Sequence, residues 1–350
     1  MPLFQYFFWI FGCLQGSVKA IEENIYIIKA FPLIFDILGA WIICKRMAND
    51  EKRNIYFLLL LINPIFLYNS LLWGQVDAVH SFFILISCLF AIQGKIFNAI
   101  ISFLIAINFK LQAIVYLPLI GLFLLPYLLD RKNISTLLTT LFSVVVLQLV
   151  IILPFWLNGG IKQLTSTVLG SFDSYGTLSA NAFNIWQWIA NDNTYHMMDD
   201  KIYWGLTAKF WGRILFYAFS IVLLLPLLLY QLNRVIGKAK VLGPDKLMDI
   251  GLIAGALVNM NLFFFCTGMH ERYSHPTMLF TCAYAIKNKK WYLMILFLVA
   301  YFLNMEDVLR YLQWENYNTL IYDPRFVAAL FFIFMSLMYK DLYTLYFCKK

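Results

Sequence analysis

Charge is scarce in this chain. Asp, Glu, Lys and Arg make up 13% of its 350 residues, against 62% hydrophobic residues and a mean hydropathy of +0.73. A soluble protein of this length cannot bury that much apolar surface, so a water-bathed globular domain is excluded. Cysteine is sparse and scattered: Cys13, Cys44, Cys88, Cys266, Cys282 and Cys348 sit mostly in or beside apolar runs, and no CxxC occurs. Neither a zinc ribbon nor a disulfide framework is indicated. Strict apolar–polar alternation is missing, which excludes a large membrane β-barrel. Met1 to Phe11 is rich in aromatics and lacks a basic n-region, so no cleavable signal peptide is expected.

What is present is a series of long, continuous apolar runs and many aromatics, with 33 Phe, 21 Tyr and 10 Trp. Such runs mark an all-α, polytopic transmembrane helix bundle. Read by apolar length, about eleven segments fall near 24–46, 54–71, 76–93, 96–109, 112–129, 134–156, 210–232, 248–266, 276–286, 290–303 and 325–346. Those at 96–109 and 276–286 are too short to cross as straight helices and are expected to be half-helices around a cavity. The whole of 1–350 reads as one transmembrane domain, with 157–209 as its one larger extracytoplasmic loop.

Orientation follows from Lys and Arg. One set of loops carries 17 basic and six acidic residues, and the opposite set nine basic and twelve acidic. The basic set, which includes Lys240, Lys349 and Lys350, is expected to be cytoplasmic. The net charge of +8 is thereby explained without a nucleic-acid partner. The N-terminus is placed outside and the C-terminus inside.

This topology brings two distant polar strings to the same outer face: Trp73-Gly74-Gln75-Val76-Asp77 and Met269-His270-Glu271-Arg272-Tyr273. Ionisable groups held at one membrane surface are a functional-site hypothesis by default. Asn63-Pro64 bends the preceding span, and Gly74 permits a tight turn before the next helix. Asp77 then has two open readings, an N-cap of that helix or a ligand. For His270 to Arg272 the readings are a phosphate contact by Arg272 and a His, or a Glu271–Arg272 surface pair with interfacial Tyr273. A zinc-protease motif needs two His four apart, and His270 and His275 are five apart with Pro276 following. Lys110, at a break between apolar runs, either snorkels or lines a cavity as a phosphate ligand. Lys29 and Asp36 share one helix face and are expected to partner neighbouring helices. His80, one turn beyond Asp77, either orients it or is structural. No motif calls for a metal or other cofactor.

Together the strings Lys29–Asp36 (KAFPLIFD), Asn63-Pro64, Trp73–Asp77 (WGQVD), Lys110–Gln112 (KLQ), Ser179–Trp186 (SANAFNIW) and His270–Tyr273 (HERY) resemble the GT-C class of polytopic glycosyltransferases. The likeness is to bacterial relatives of the enzyme that adds the second mannose to GPI anchors, and to glucosyltransferases that use dolichyl-phosphate glucose. The strings keep the family's order and cover nearly the whole chain. The resemblance implies a polyprenyl- or dolichyl-phosphate sugar donor, a glycan or glycolipid acceptor, and inverting transfer on the non-cytoplasmic face of what is expected to be a bacterial plasma membrane. It puts donor phosphate near Lys110, His270 and Arg272. It puts the sugar or acceptor near Trp73, Gln75, Asn181, Glu271 and Tyr273, with Asp77 on that side too. Family members carry an acidic base in an outer loop ahead of a Tyr-Pro-Pro-like string. Met1 to Tyr6 resembles the tail of that string, so the base is expected upstream of Met1. Within the chain, Asp77, Glu22 and Glu23 are the alternatives.

Two rival readings belong to other classes. A lipid or solute carrier predicts paired repeats and mid-membrane ligands. The chain shows no repeat, and its polar strings share one face. A non-catalytic scaffold in glycan assembly is the third.

Overall fold

The computed structural model describes residues 1–170, 175–190, 194–238 and 241–347. Lys240, Cys348, Lys349 and Lys350, together with 171–174 and 191–193 of the long loop, lie outside the described residues. Helices α1 (Pro2–Gln15) and α2 (Val18–Asn24) precede α3 (Ala30–Met47). Then come α4 (Arg53–Leu61), the single turn α5 (Pro64–Phe66) and a π-helical stretch, Leu67–Leu72. They lead to α6 (Asp77–Ile92), α7 (Ile96–Phe109), α8 (Leu117–Leu128) and α9 (Ile134–Leu157). The 157–209 stretch holds α10 (Ile161–Gly170), α11 (Trp186–Ile189) and the antiparallel pair β1 (Ile202–Tyr203) and β2 (Leu206–Thr207), with Ile202 opposite Thr207. Last are α12 (Ala208–Val235), α13 (Pro244–Phe265), α14 (His275–Asn288), α15 (Trp291–Leu309) and α16 (Pro324–Phe347).

The all-α class is what the chain adopts, the two-residue strand pair being the only sheet among the described residues. Each of the eleven apolar segments falls on a helix, and among the described residues eight helical stretches are long and apolar enough to cross a membrane. Of the other three, α6 has 16 residues and α7 and α14 have 14 each. At about 1.5 Å per residue they span roughly 21–24 Å, short of a hydrocarbon core of about 30 Å. Apolar runs in the sequence do not show where a helix stops; the polar turns at Asp77, Lys110 and His275 stop these three.

Burial divides the helices by role. In α13, 83% of the apolar window is enclosed by other helices, so it forms the bundle's centre, packed against α6, α12, α14 and α16. By contrast α9 and α12 enclose 11% and 17% and present Leu138, Leu141, Phe142, Leu149, Tyr217 and Ile221 outward. Lipid tails are as apolar as leucine, so that exposure carries no penalty in a membrane.

The short helices position the site. Helices α6 and α7 form an antiparallel hairpin about Gly94, which returns the end of α7 to the start of α6. Helix α14 packs on both α6 and α3 and begins at the same end. Three helix ends therefore meet on one face of the bundle.

Candidate functional site

The turn Trp73–Asp77 is built by its backbone. Asn63 caps α5 through Oδ1, which accepts from Ile65 N at 2.9 Å, and Pro64 takes the first position of the turn, where no donor is needed. The π-helical stretch after it ends with Trp73 N donating to Tyr68 O at 3.0 Å and Gln75 N to Asn69 O at 2.9 Å. Lys29 on the neighbouring segment donates from Nζ to Leu72 O at 3.1 Å, closing that end. Gly74 has φ 76°, and a Cβ there would lie 3.3 Å from the Lys29 side chain.

Asp77 is then the first residue of α6, and Val76 is its N-cap, without a side-chain cap bond. The Asp77 carboxylate does not cap the helix. It turns to the end of α7, where Lys110 Nζ donates to Oδ1, while Arg272 Nε stands 3.6 Å from Oδ2. His80 Nδ1 lies 4.0 Å from Oδ1. Asp77 keeps 2% of its side chain exposed and Lys110 22%, so Lys110 is drawn inward rather than snorkelling.

The second string wraps around the same carboxylate. Arg272 Nη1 donates to Glu271 Oε1 at 2.9 Å, and His270 Nδ1 lies 3.6 Å from Oε2. The Glu271–Arg272 pair exists, but Glu271 is only 1% exposed, so it is not a surface pair. Burial pushes the Glu271 carboxyl up, but His270 beside it and the Arg272 charge outweigh that and hold it below the usual carboxylate range. Its ion pairs therefore stabilise the fold at neutral pH and are lost as pH falls below that range. Tyr273 lies between the cations: its ring centroid is 4.2 Å from Lys110 Nζ and 5.4 Å from the Arg272 guanidinium, which also lies 5.6 Å from the half-buried Trp73 ring. The Tyr273 carbonyl accepts from Asn259 at 2.9 Å and Gln112 at 3.4 Å.

The loop string Ser179–Trp186 closes the site. Ala180 N donates to Met269 O at 2.9 Å, and Ala180 and Asn181 both bridge to His270. Asn181 takes φ 69°, and Gln75 beside the site is half-buried. Thus Trp73, Asp77, Lys110, Asn181, His270, Glu271, Arg272 and Tyr273 share one cluster. Glu22 and Glu23 stand exposed on α2, where Glu23 pairs with Lys19 at 3.8 Å.

Sequence reading missed the groups that hold this cluster. Asn304 on α15 accepts from Phe183 N at 3.1 Å and donates to Asn181 O at 2.8 Å. Glu306, two residues further on and fully buried, accepts from Tyr68 at 2.8 Å, Tyr317 at 2.5 Å and Leu312 N at 2.9 Å. Tyr175 packs edge-on to His270 at 4.4 Å. The available signal was an amide inside an apolar run, as at Asn259 and Asn304. Asn304→Ala is expected to orphan the Phe183 N–H and the Asn181 carbonyl, costing about 1–3 kcal/mol, read by chemical unfolding in micelles. Gly268, at φ 67°, is the other expected weak point, because a Cβ there would lie 2.7 Å from Tyr175 O. Gly268→Ala is expected to lower stability by at least about 1–2 kcal/mol and to lift Tyr175 off His270, measurable as a fall in melting temperature.

No group of three or more His, Cys, Asp or Glu among the described residues is placed to hold a metal ion. No protein-family model matches the chain, and no curated protein matches it.

Proposed function

We propose that the chain is a membrane glycosyltransferase that moves a hexose, mannose first among them, from a polyprenyl- or dolichyl-phosphate donor to a lipid-linked or envelope glycan acceptor. Its membrane under this reading is a bacterial plasma membrane, with the site on the extracytoplasmic side. The reading rests on one observation above all: Lys110, Arg272 and His270 converge around Asp77 and Tyr273 where three helix ends meet. Two cations and an imidazole at a membrane face suit a phosphate carried by a lipid. The family likeness of the strings that build the cluster names the sugar chemistry.

In the proposed step the acceptor hydroxyl oxygen attacks the sugar carbon from the face opposite the phosphate. The carbon–oxygen bond to the phosphate breaks, and the configuration inverts. The departing lipid phosphate gains negative charge, which Lys110 and Arg272 offset. The acceptor proton passes to a carboxylate. Donor phosphate competes with Asp77 for the same two cations. Once Lys110 and Arg272 turn to phosphate, Asp77 is released to take that proton, while Trp73, Gln75, Asn181 and Glu271 line the sugar and acceptor side.

Binding tests this separately from turnover. Polyprenyl phosphate at about one hundred times its dissociation constant is expected to raise the stability of the wild-type protein by about 2.7 kcal/mol. The Lys110→Met protein is expected to gain far less. Equal stabilisation of both by polyprenyl phosphate would remove Lys110 from the donor site.

A further inference from the structure

Behind Asp77 lies a second polar layer that the transfer step does not use. Asp36 on α3 is 3% exposed, His80 1%, and Asn69, Ser70, Ser274 and His275 are fully enclosed. His275 Nε2 lies 3.8 Å from Asp36 Oδ1, and His275 Nδ1 lies 3.5 Å from the Tyr301 hydroxyl. Both Asp36 oxygens, both Asn69 side-chain atoms, both His80 ring nitrogens, the Ser70 and Ser274 hydroxyls and His275 Nε2 find no hydrogen-bond partner in the protein. Buried polar atoms are almost always satisfied, and where protein does not do so, ordered water does.

Among the described residues Asp36 has one ionisable partner within 4.0 Å, His275. Asp77 faces Lys110 and Arg272, and Glu271 faces Arg272. Lys29, on the same face as Asp36, gives its ammonium to the Leu72 carbonyl. The groups whose charge is felt at Asp36 include Asp77 and Tyr301, with Ser70 beside it, and those felt at His275 include Asp77, Lys110 and His80. Among the described residues the cation at ion-pair distance from Asp36 is His275, when it is protonated. An isolated ionised carboxylate in an apolar interior is too costly to persist.

We propose that Asp36 and His275 form a buried couple that holds one proton at neutral pH, linked by water through Asn69, Ser70 and Ser274 to Asp77. The couple neutralises the layer and leaves Lys110 and Arg272 free for the outer anion. Resting on the transferase reading, it also acts on turnover as a positioning pair: the proton taken by Asp77 from the acceptor hydroxyl is shared with this layer until the lipid phosphate, now a dianion, leaves with it.

Infrared spectroscopy of the full chain in bilayers, with isotope-labelled aspartate, tests the couple without any need for activity. Histidine ring NMR reports the other partner. The expected result at pH 7 is either a protonated-carboxyl band that Asp36→Asn removes and Asp77→Asn leaves, or an imidazolium at His275. An ionised Asp36 beside a neutral His275 overturns the proposal. Titration of the wild-type protein alone gives the same decision if Asp36→Asn does not fold. In transfer assays Asp36→Asn is expected to shift the pH profile while leaving polyprenyl-phosphate binding within about twofold; an unmoved profile sinks the turnover role. Loss of all transfer in the wild-type protein would count against the transferase reading and leave the spectroscopic outcome standing.

Discussion

Lys110→Met is expected to cut sugar transfer by about 100- to 1000-fold, the usual loss when one preorganised donor to a developing negative charge is removed. Lys110 is the residue whose ammonium reaches both Asp77 and the face of Tyr273. Its loss also leaves Asp77, with 2% of its side chain exposed, facing Arg272 alone. Breaking a buried pair from one side costs up to about 3 kcal/mol, lessened here because Lys110 is partly exposed. The double variant Lys110→Met with Asp77→Asn separates the effects, since it removes both charges together. It is expected to recover most of the lost stability and none of the transfer. Recovery of transfer in the double variant would mean that Lys110 serves only to neutralise Asp77.

Arg272→Lys is expected to keep the fold and lose about 100-fold in transfer. Arg272 does two things at once: Nη1 binds Glu271 at 2.9 Å while Nε faces Asp77 at 3.6 Å, and its plane lies near Trp73 and Tyr273. A lysine ammonium is a point charge and cannot span two carboxylates and two rings. The charge is conserved, so the variant tests geometry rather than net charge. Steady-state kinetics over donor concentration check it, and a rate within about threefold of wild type would show that the fork geometry is not used.

The helices, and the meeting of the two polar strings, were largely legible from residue type. Every apolar run became a helix, which satisfies its backbone polar groups within the segment itself, as a continuous non-alternating run in lipid requires. Polar strings inside such a chain stand out for the same reason. Pairing was not legible. Asp77 looked equally like a helix cap, and only the return of the α6–α7 hairpin brings Lys110, 33 positions away, onto it. Eight helical stretches among the described residues are long enough to cross, whereas α6, α7 and α14 are apolar but end at polar residues after 14 to 16 residues, a limit that apolar runs alone do not fix. Asn304 was invisible because a lone amide gives no sign of its partners, and here both are backbone atoms more than a hundred residues away. Lys29 and Asp36 were expected to partner neighbouring helices and do, Lys29 at Leu72 and Asp36 at His275, but which partners they take was not legible from the helix face alone.

The decisive measurement is transfer of a labelled hexose from polyprenyl-phosphate mannose and polyprenyl-phosphate glucose to membrane lipid acceptors. It uses the purified full chain in bilayers, beside the folded Lys110→Met and Asp77→Asn double variant. Transfer by the wild-type protein from at least one donor, absent in the double variant, is the expected result. A wild-type protein that neither binds polyprenyl phosphate nor transfers either sugar, or a double variant that transfers as well as wild type, would contradict the assignment of this cluster to a glycosyltransferase donor site.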